Sequence, residues 1–236
     1  MKIRVVTLFP EFFESPLSAG IPNRAAQAGL VDFAFVNPRD FTEDRHRTVD
    51  DTPYGGGAGM VLKPEPMIDA VESVTGKGNP RGVPVILLSP QGPVMTQTKA
   101  QRLAELPEVA FVCGRYKAVD ERVHDLVITE ELSVGDFVLS GGEPACLLAI
   151  DSIVRLLPGA LGDADSSDTD SFGGHWQGGL DCAYYTRPVE YRGLRVPDVL
   201  LSGHHARIEE WRRLQAQDRT RRKRPDLLRA TGNAAS

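Results

Sequence analysis

Apolar runs recur along most of the chain at intervals that suit a sheet. Residues 2–9 and 31–37 are rich in β-branched and aromatic side chains, and residues 83–89 and 109–113 are almost continuously apolar. Continuous apolar runs of this length are typical of strands that are buried on both faces. We therefore predict four strands at these positions.

Helical patterns occupy the intervals between the apolar runs. We predict one or two helices across 12–30, interrupted by two prolines, and another across 96–106. A short helical stretch at 119–125 precedes a further apolar run at 126–129, for which we predict another strand. This alternation predicts an α/β fold with a mostly parallel sheet and helices on both faces.

The segment 133–143 begins as an apolar run and breaks at a pair of glycines. An amphipathic helix follows across 144–157, and Pro144 is tolerated in its first turn. Gly135, Gly141 and Gly142 lack a Cβ, so they allow the backbone to come close to a bound molecule. A tight turn from strand to helix that binds nothing is the alternative.

The remainder of the chain differs in composition. Residues 159–179 are rich in Gly, Asp and Ser, which predicts a mobile linker, and a helix follows across 204–219. Residues 204–236 carry a net charge of +5, whereas residues 1–203 carry −10. A basic segment beside an acidic body favours a partner that carries phosphates. A solvated helix with internal salt bridges is the alternative.

The composition, with 41% hydrophobic and 25% charged residues, is that of an ordinary globular protein, and no apolar run is long enough to cross a membrane. Cys113, Cys146 and Cys182 lie far apart in sequence and form neither a metal-binding pair nor a disulfide framework. Reduced thiols predict a cytoplasmic location.

Common nucleotide and metal motifs are missing from the sequence. The run 55–59 contains four glycines but does not complete a GxGxxG fingerprint, because Met60 occupies the final glycine position. There is no HExxH motif and no paired-cysteine motif, so we predict no metal site from the sequence. The glycine run is either flexible filler or a loop that approaches a ligand, and Tyr54 and the acids beside it favour the second interpretation.

Two charged residues have competing interpretations. Arg155 is spaced for a surface ion pair with Asp151, but it also lies on the flank of a buried helix face soon after the Gly-Gly turn, where a guanidinium can stabilise charge on a substrate oxygen. Asp170 is by default one more solvated acid of the linker.

Motifs that span nearly the whole chain resemble those of the bacterial tRNA (guanine-N1)-methyltransferases, which are knotted SPOUT-class enzymes that methylate guanosine 37. They occur in the order of that family. The matching stretches are Thr7–Pro10, Asn37–Asp40, Val49–Met60, Lys63–Pro66, Ser89–Gly92, Cys113–Tyr116, Val119–Val123, Ser133–Glu143, Ile150–Asp151 with Arg155, Asp170–Phe172, Tyr185–Pro188, Val199–Gly203 with Trp211, and Arg224–Leu228.

The resemblance implies a SPOUT-like fold with a deep C-terminal trefoil knot, followed by a small helical C-terminal domain. It implies a knotted cofactor-binding domain at 1–160, a flexible linker at 161–181 that carries the catalytic acid, and a basic tRNA-binding domain at 182–236. The family binds S-adenosylmethionine in the knot. The corresponding positions here are Leu87, Leu88, Ser89, Pro90, Gln91, Gly114, Tyr116, Ser133, Val134, Gly135, Asp136, Phe137, Val138, Leu139, Gly141 and Gly142.

The same resemblance implies Asp170 as the general base, Arg155 as the stabiliser of the guanine oxygen, and a homodimer with the active site at its interface. It implies binding of the tRNA anticodon stem-loop and a dependence on Mg²⁺. The residues that we expect to contact RNA are Tyr54, Gly55, Gly57, Gly59, Arg219, Arg221, Arg222, Lys223 and Arg224.

The chain departs from the family pattern at two places. Lys117 stands where the family usually has an acid, with Ala118 after it in place of glycine, and the stretch 173–179 is a few residues longer than usual. Two alternatives stay open: a SPOUT-class methyltransferase acting on another RNA position, and a catalytically impaired protein that binds cofactor and RNA.

Overall fold

A computed structural model describes residues 1–162 and 166–232 of the chain, which divides into two compact units at 1–162 and 163–236. In the first unit the strands are β1 (Lys2–Val6), β2 (Asp32–Val36), β3 (Asp50–Asp51), β4 (Val61–Leu62), β5 (Val85–Leu88), β6 (Glu108–Cys113), β7 (Ala118–Val119) and β8 (Glu130–Leu132). Its helices are α1 (Glu14–Leu17), α2 (Gly20–Gln27), α3 (Pro64–Thr75), α4 (Gln97–Ala104), α5 (Glu121–Val127) and α6 (Glu143–Val154), with 3₁₀ turns at Pro10–Phe13 and Pro38–Phe41.

The main sheet of the first unit is parallel throughout, with strand order β2-β1-β6-β5-β8. Side chains of β6 alternate between its two faces. Val109 and Phe111 pack with α2, α4 and α6, whereas Ala110 and Val112 pack with α3 and α5. The predicted α/β fold with helices on both faces of a mostly parallel sheet is therefore confirmed for the described part of this unit.

The strands and helices predicted for the first unit agree with the structure except around residue 126, whereas helix α3 and the short strands β3, β4 and β7 were not predicted. The predicted strand at 126–129 is wrong, because α5 continues to Val127 and β8 begins at Glu130. Asp120 starts this helix by accepting a hydrogen bond from the backbone N–H of Arg122 at 3.0 Å. Leu126 and Val127, which were assigned to the strand, belong to the last turn of this helix, where Leu126 is 68% exposed.

A second, small sheet anchors the glycine-rich segment within the first unit. β3 and β4 form an antiparallel hairpin around residues 52–60, and β4 also pairs in parallel with β7. Gly55, Gly56, Gly57 and Gly59 all have positive φ, a backbone conformation that favours glycine. The glycine run therefore forms a defined hairpin loop, with Tyr54 fully exposed at its start.

The described part of the second unit contains α7 (Ser166–Thr169), a 3₁₀ turn (Gly174–Trp176), strands β9 (Glu190–Tyr191) and β10 (Leu194–Arg195), and helices α8 (Asp198–Leu201), α9 (His205–Lys223) and α10 (Pro225–Gly232). The predicted helix at 204–219 is confirmed and is longer at its C-terminal end. Its buried residues are Ala216 and Thr220. Among the described residues, no helix combines the length and the apolar character that crossing a membrane requires.

Candidate active site

A cavity of about 250 Å³ lies at the carboxyl ends of three neighbouring strands of the first unit. β6, β5 and β8 are adjacent and parallel, so the loops that follow them leave the sheet at the same edge. Ligands of open α/β sheets bind at this edge. The fold thus brings together three segments that are far apart in sequence.

The cavity gathers nearly all of the residues that the family resemblance marks as cofactor-binding. Those that line it are Leu87, Leu88, Ser89, Pro90, Gln91, Gly114, Tyr116, Ser133, Val134, Gly135, Phe137, Val138, Leu139, Gly141 and Gly142. Asp136 is the exception. Its side chain is exposed and does not line the cavity. The carboxylate therefore stays hydrated and avoids the cost of burial.

The Gly-Gly turn packs tightly against the loop after β6. A Cβ at Gly142 would lie 2.8 Å from the Cα of Cys113, and a Cβ at Gly141 would lie 2.2 Å from Nε of Arg115. The Gly142 N–H donates to the Gly114 carbonyl at 2.9 Å. In the structure, these two glycines therefore allow one cavity-lining segment to approach another, in addition to any ligand.

A buried ionic network beneath this turn was missed by the sequence analysis. Glu143 is completely buried at the start of α6, and its Oε1 accepts a hydrogen bond from the Thr7 hydroxyl at 2.8 Å. Its Oε2 lies 2.9 Å from Nε of Arg115, although neither of these two atoms makes an aligned hydrogen bond within the described residues. The contact is therefore an ion pair, and it joins the cavity wall to the helix.

Arg115 has a further contact that orients it. Its guanidinium lies 4.5 Å from the centre of the Phe9 ring, and Nη1 donates to the Ser140 carbonyl at 3.3 Å. Both Thr7 and Arg115 follow closely on the ends of buried strands, which is the signal that could have found them. The negative charge of Glu143 is also stabilised by the helix dipole, because this residue lies at the N-terminus of α6.

We expect Glu143→Gln to lower the free energy of unfolding by about 3 kcal/mol, because it keeps the side-chain shape but leaves Arg115 without its carboxylate. Urea denaturation of the variant and the parent protein measures this difference. The double variant Glu143→Gln/Arg115→Met removes both charges and should lose less stability than the two single changes added together. Strict additivity would show that the two residues do not stabilise each other.

Other ionisable groups around the cavity were also not singled out from the sequence. Glu121 and His124 line it, and Nδ1 of His124 lies 3.0 Å from Oε1 of Glu131.

Burial, followed by the neighbouring Cys146, raises the pKa of the Cys113 thiol well above its ordinary value. Cys113 is thus a neutral thiol and not a thiolate nucleophile.

Lys117 lies between the cavity and the glycine-rich hairpin. It is exposed and lines the cavity, and its backbone N–H donates to the Met60 carbonyl at 2.9 Å. A Cβ at Gly59 would come within 3.2 Å of the Lys117 Cβ. The residue that departs from the family pattern therefore stands where the predicted RNA-binding loop meets the predicted cofactor site.

Arg155 lies at the C-terminal end of α6, the helix that begins at the Gly-Gly turn. Its side chain is half-buried, and its backbone N–H donates to the Asp151 carbonyl at 3.2 Å. A cation at this end of a helix is stabilised by the helix dipole. Because α6 is packed into the core, the backbone that carries the Arg155 side chain has a fixed position.

Asp170 lies in the second unit, in a segment that is hydrogen-bonded to its own unit at several points. Its carbonyl accepts from Gly173 N–H at 3.0 Å, and the indole Nε1 of Trp176 donates to the carbonyl of Thr169 at 2.6 Å. Further along, Leu180 N–H donates to the buried hydroxyl of Thr220 at 2.9 Å. The unusually long stretch 173–179 thus forms a closed turn that supports the backbone on either side of Asp170.

The basic residues at the end of α9 have different surroundings. Nη1 of Arg219 donates to the Cys182 carbonyl at 2.8 Å, so this guanidinium helps to hold its own unit together. Arg222 pairs with Asp218, and Arg224 pairs with Asp226. Arg221 and Lys223 are exposed. These last two side chains are therefore the best placed of the group to meet a phosphate.

Among the described residues, no three His, Cys, Asp or Glu side chains form a cluster that could hold a metal ion. The described residues therefore offer no side-chain cluster for a resident Mg²⁺ ion.

Comparison with known proteins places this site in context. A sequence profile of the family described as tRNA (Guanine-1)-methyltransferase TrmD matches residues 1–230. A tRNA (guanine-N(1)-)-methyltransferase of Brevibacillus brevis is 53% identical over 97% of this chain and 91% of its own length. Proteins of the same name from Dehalococcoides mccartyi and Ralstonia nicotianae are 53% and 52% identical, over 97% and 98% of this chain and 90% and 87% of their own lengths.

Proposed function

This chain belongs to the tRNA (guanine-1)-methyltransferase family, and we propose that it transfers a methyl group from S-adenosylmethionine to ring nitrogen 1 of guanosine 37 in tRNA. The observation that carries the proposal is the cavity at the carboxyl ends of β5, β6 and β8, in a chain that shares half of its residues with methyltransferases of this name.

The cavity residues fit the proposed methyl donor. S-adenosylmethionine, when bound, supplies an electrophilic methyl group carried on a positively charged sulfur. The Leu87–Gln91, Gly114–Tyr116 and Ser133–Gly142 segments offer backbone N–H and C=O groups together with apolar side chains around one space. Such a lining suits a ligand with both an apolar ring and several polar groups.

Asp170 acts in this proposal as the general base. Ring nitrogen 1 of guanine carries a proton at neutral pH and is a poor nucleophile. The Asp170 carboxylate accepts that proton as nitrogen 1 forms its bond to the methyl carbon, and the electrons of the broken C–S bond stay on sulfur. The turn formed by residues 173–179 supports the role, because it orders the backbone beside this carboxylate.

Arg155 acts as the electrostatic stabiliser. Removal of the proton from nitrogen 1 moves negative charge toward the guanine carbonyl oxygen. A guanidinium that is already in place stabilises this charge without a reorganisation cost at the moment of reaction. The position of Arg155 at the end of a core-packed helix supports the assignment.

We also propose the family's deep trefoil knot and its homodimer with an active site at the interface. Two observations support the knot: a Cβ at Gly92 would lie 2.5 Å from the backbone of Glu131, and Val94 forms a bridge with Ser133. The cavity rim supports the dimer, because Phe137 and Val138 are 55% and 88% exposed there. Exposed apolar groups of this kind favour a protein contact.

The anticodon stem-loop contacts are proposed for the glycine-rich hairpin and the basic end of α9. Tyr54 is fully exposed beside four glycines, and its ring is available to stack on a base. Arg221 and Lys223 supply charge for phosphates. The cytoplasm is the proposed location, since the three cysteines are free thiols.

The proposed function is tested by incubating the protein with methyl-labelled S-adenosylmethionine and unmodified tRNA that has guanosine at positions 36 and 37. We expect label on nitrogen 1 of guanosine 37, read by nuclease digestion and mass spectrometry, and none on tRNA with adenosine at 37. Label at another nucleotide would identify a different RNA methyltransferase. Cofactor binding with no label in any RNA would identify a catalytically impaired protein.

We expect Lys117→Glu to raise turnover or to lower the KM for S-adenosylmethionine, by about threefold, because it removes a like charge from the rim of a site for a cationic ligand. Steady-state kinetics on both proteins measure the change. Lys77→Glu is the control, since it makes the same change in net charge on an exposed lysine that does not line the cavity. A clear loss of activity in Lys117→Glu alone would show that the site uses the lysine.

A further inference from the structure

A groove of about 390 Å³ lies within the second unit and has no role in the mechanism above. Its walls come from the segment that follows Cys182, from the end of the β9–β10 hairpin, and from α8 and α9. We call it the tyrosine groove, and its functional residues are Tyr184, Tyr185, Arg187 and Arg212 above a floor that includes Leu200 and Ile208. Its volume is within the range of about 300–1,000 Å³ that is usual for small-ligand sites.

Tyr185 presents a supported aromatic face to this groove. Its ring centre lies 6.3 Å from that of Trp211, with 54° between the ring planes, and 51% of its surface stays exposed. A tyrosine that is braced from one side and exposed on the other can stack on a flat ring without losing much side-chain freedom. A ligand in the groove would bury the exposed aromatic surface of Tyr185. Exposed apolar surface of this kind marks interaction sites.

The charge of the groove identifies the class of ligand. Two lining residues, Arg187 and Arg212, are charged at neutral pH. None of the described lining residues is acidic. Oε2 of Glu209 lies 4.0 Å from Nη1 of Arg212, but Oε1 of Glu209 also lies 2.9 Å from Nε2 of His175. A guanidinium pair beside an aromatic ring matches a ligand that combines a phosphate with a planar base.

We propose that the tyrosine groove binds one unpaired nucleotide of the RNA substrate, with its base stacked on Tyr185 and its phosphate on Arg187 or Arg212. The inference rests on the proposed function, because that function makes tRNA the substrate. A groove of this size holds a single nucleotide and excludes a duplex, so the site selects a looped or splayed-out base. It thereby adds a recognition site distinct from the one at which methylation occurs.

The first experiment measures the equilibrium binding of unmodified tRNA to three variants. Tyr185→Leu should raise the Kd for tRNA about tenfold, whereas Tyr185→Phe, which keeps the ring, should change it less than about twofold. Tyr191→Leu is the matched control, because Tyr191 is 61% exposed in the same unit and does not line the groove. An equal effect of Tyr185→Leu and Tyr191→Leu would overturn the proposal.

A charge variant gives an independent test that does not depend on the packing of Tyr185. Arg187→Gln should reduce the slope of log Kd against log salt concentration by about one unit. Arg192→Gln makes the same charge change in the same unit, outside the groove, and should leave the slope unchanged. Equal slopes for the two variants would overturn the assignment of Arg187 to a phosphate.

The bound nucleotide is located by combining protein and RNA changes. Anticodon stem-loops with one abasic nucleotide at a time are tested against the parent protein and Tyr185→Leu. At one unpaired position the two losses should not add, because both remove the same stacking contact. Additive losses at every position would exclude a stacked base in the groove.

The same variants separate this inference from its alternatives. If light scattering shows that Tyr185→Leu changes the oligomeric state, the groove is a contact between copies of the chain and the proposal is wrong. If the parent protein methylates guanosine 37 but Tyr185→Leu binds tRNA normally, the groove inference alone fails. If tRNA binding depends on Tyr185 but label is found elsewhere than guanosine 37, the proposed function alone fails.

Discussion

Asp170→Asn is expected to reduce the rate of methyl transfer by about 10²–10⁴-fold while the affinity for S-adenosylmethionine stays within a few-fold. The amide has nearly the same shape as the carboxylate but cannot accept the proton from guanine nitrogen 1. The neighbouring backbone is held by contacts of Thr169 and Gly173, which the substitution leaves in place. Single-turnover methylation and equilibrium cofactor binding, measured on the same preparation, give the two quantities.

Asp168→Asn is the matched control for this experiment. Asp168 lies two residues earlier, and its Oδ1 accepts a hydrogen bond from the Gly174 backbone N–H at 3.0 Å. An asparagine can accept the same bond through its own Oδ1, so this variant should stay active. Equal losses in both variants would assign the effect to the acidic segment as a whole. A loss of cofactor affinity as large as the loss of rate would contradict the role of Asp170 as general base.

Arg155→Ala is expected to lower kcat by about 10²–10³-fold, with a much smaller effect on cofactor affinity. The charge that it stabilises develops only in the transition state, so the variant loses turnover and not ground-state binding. The comparison of kcat with the Kd for S-adenosylmethionine measures this difference.

Arg102→Ala tests whether the loss is specific to Arg155. Arg102 is an exposed arginine in the last turn of α4, in the same unit, and it does not line the cavity. The same truncation at the end of another helix should leave kcat unchanged. Parent-like turnover in Arg155→Ala would remove this residue from the mechanism.

The central strands could be predicted because burial on both faces leaves a clear mark on the sequence. β5 and β6 are apolar at almost every position, since each side chain meets a helix above or below the sheet. β8 is the exception and was misplaced. It lies at the sheet edge and contains Glu130 and Glu131, whose carboxylates meet Lys99 and His124 instead of a dry core. Charged partners on other elements make such a strand look polar, and its sequence gives no period to detect.

The candidate site was predicted only in part, for a related reason. Its glycine-rich and backbone-lined segments carry motifs that a single sequence displays, so they could be compared with a known family. The network of Thr7, Arg115 and Glu143 was not predicted, because the position of Thr7 and Arg115 just after buried strands does not show which residues they meet. Thr7 and Glu143 are 136 positions apart and become partners only in the folded sheet.

The sequence by itself determined the type and order of the central strands and of most helices in the first unit, because strand and helix periods and turn residues are local properties, but it did not predict α3 or place β8 correctly. It also marked the three loops, the linker acid and the helix arginine through their motifs. Only the tertiary structure decided that those loops share one cavity, because parallel pairing places the ends of β5, β6 and β8 at one edge. It likewise decided that Glu143 is a buried partner of Arg115, and that Tyr185 packs beside Trp211 at the edge of a groove. These are contacts between distant segments, whose energies depend on burial and distance and not on local sequence.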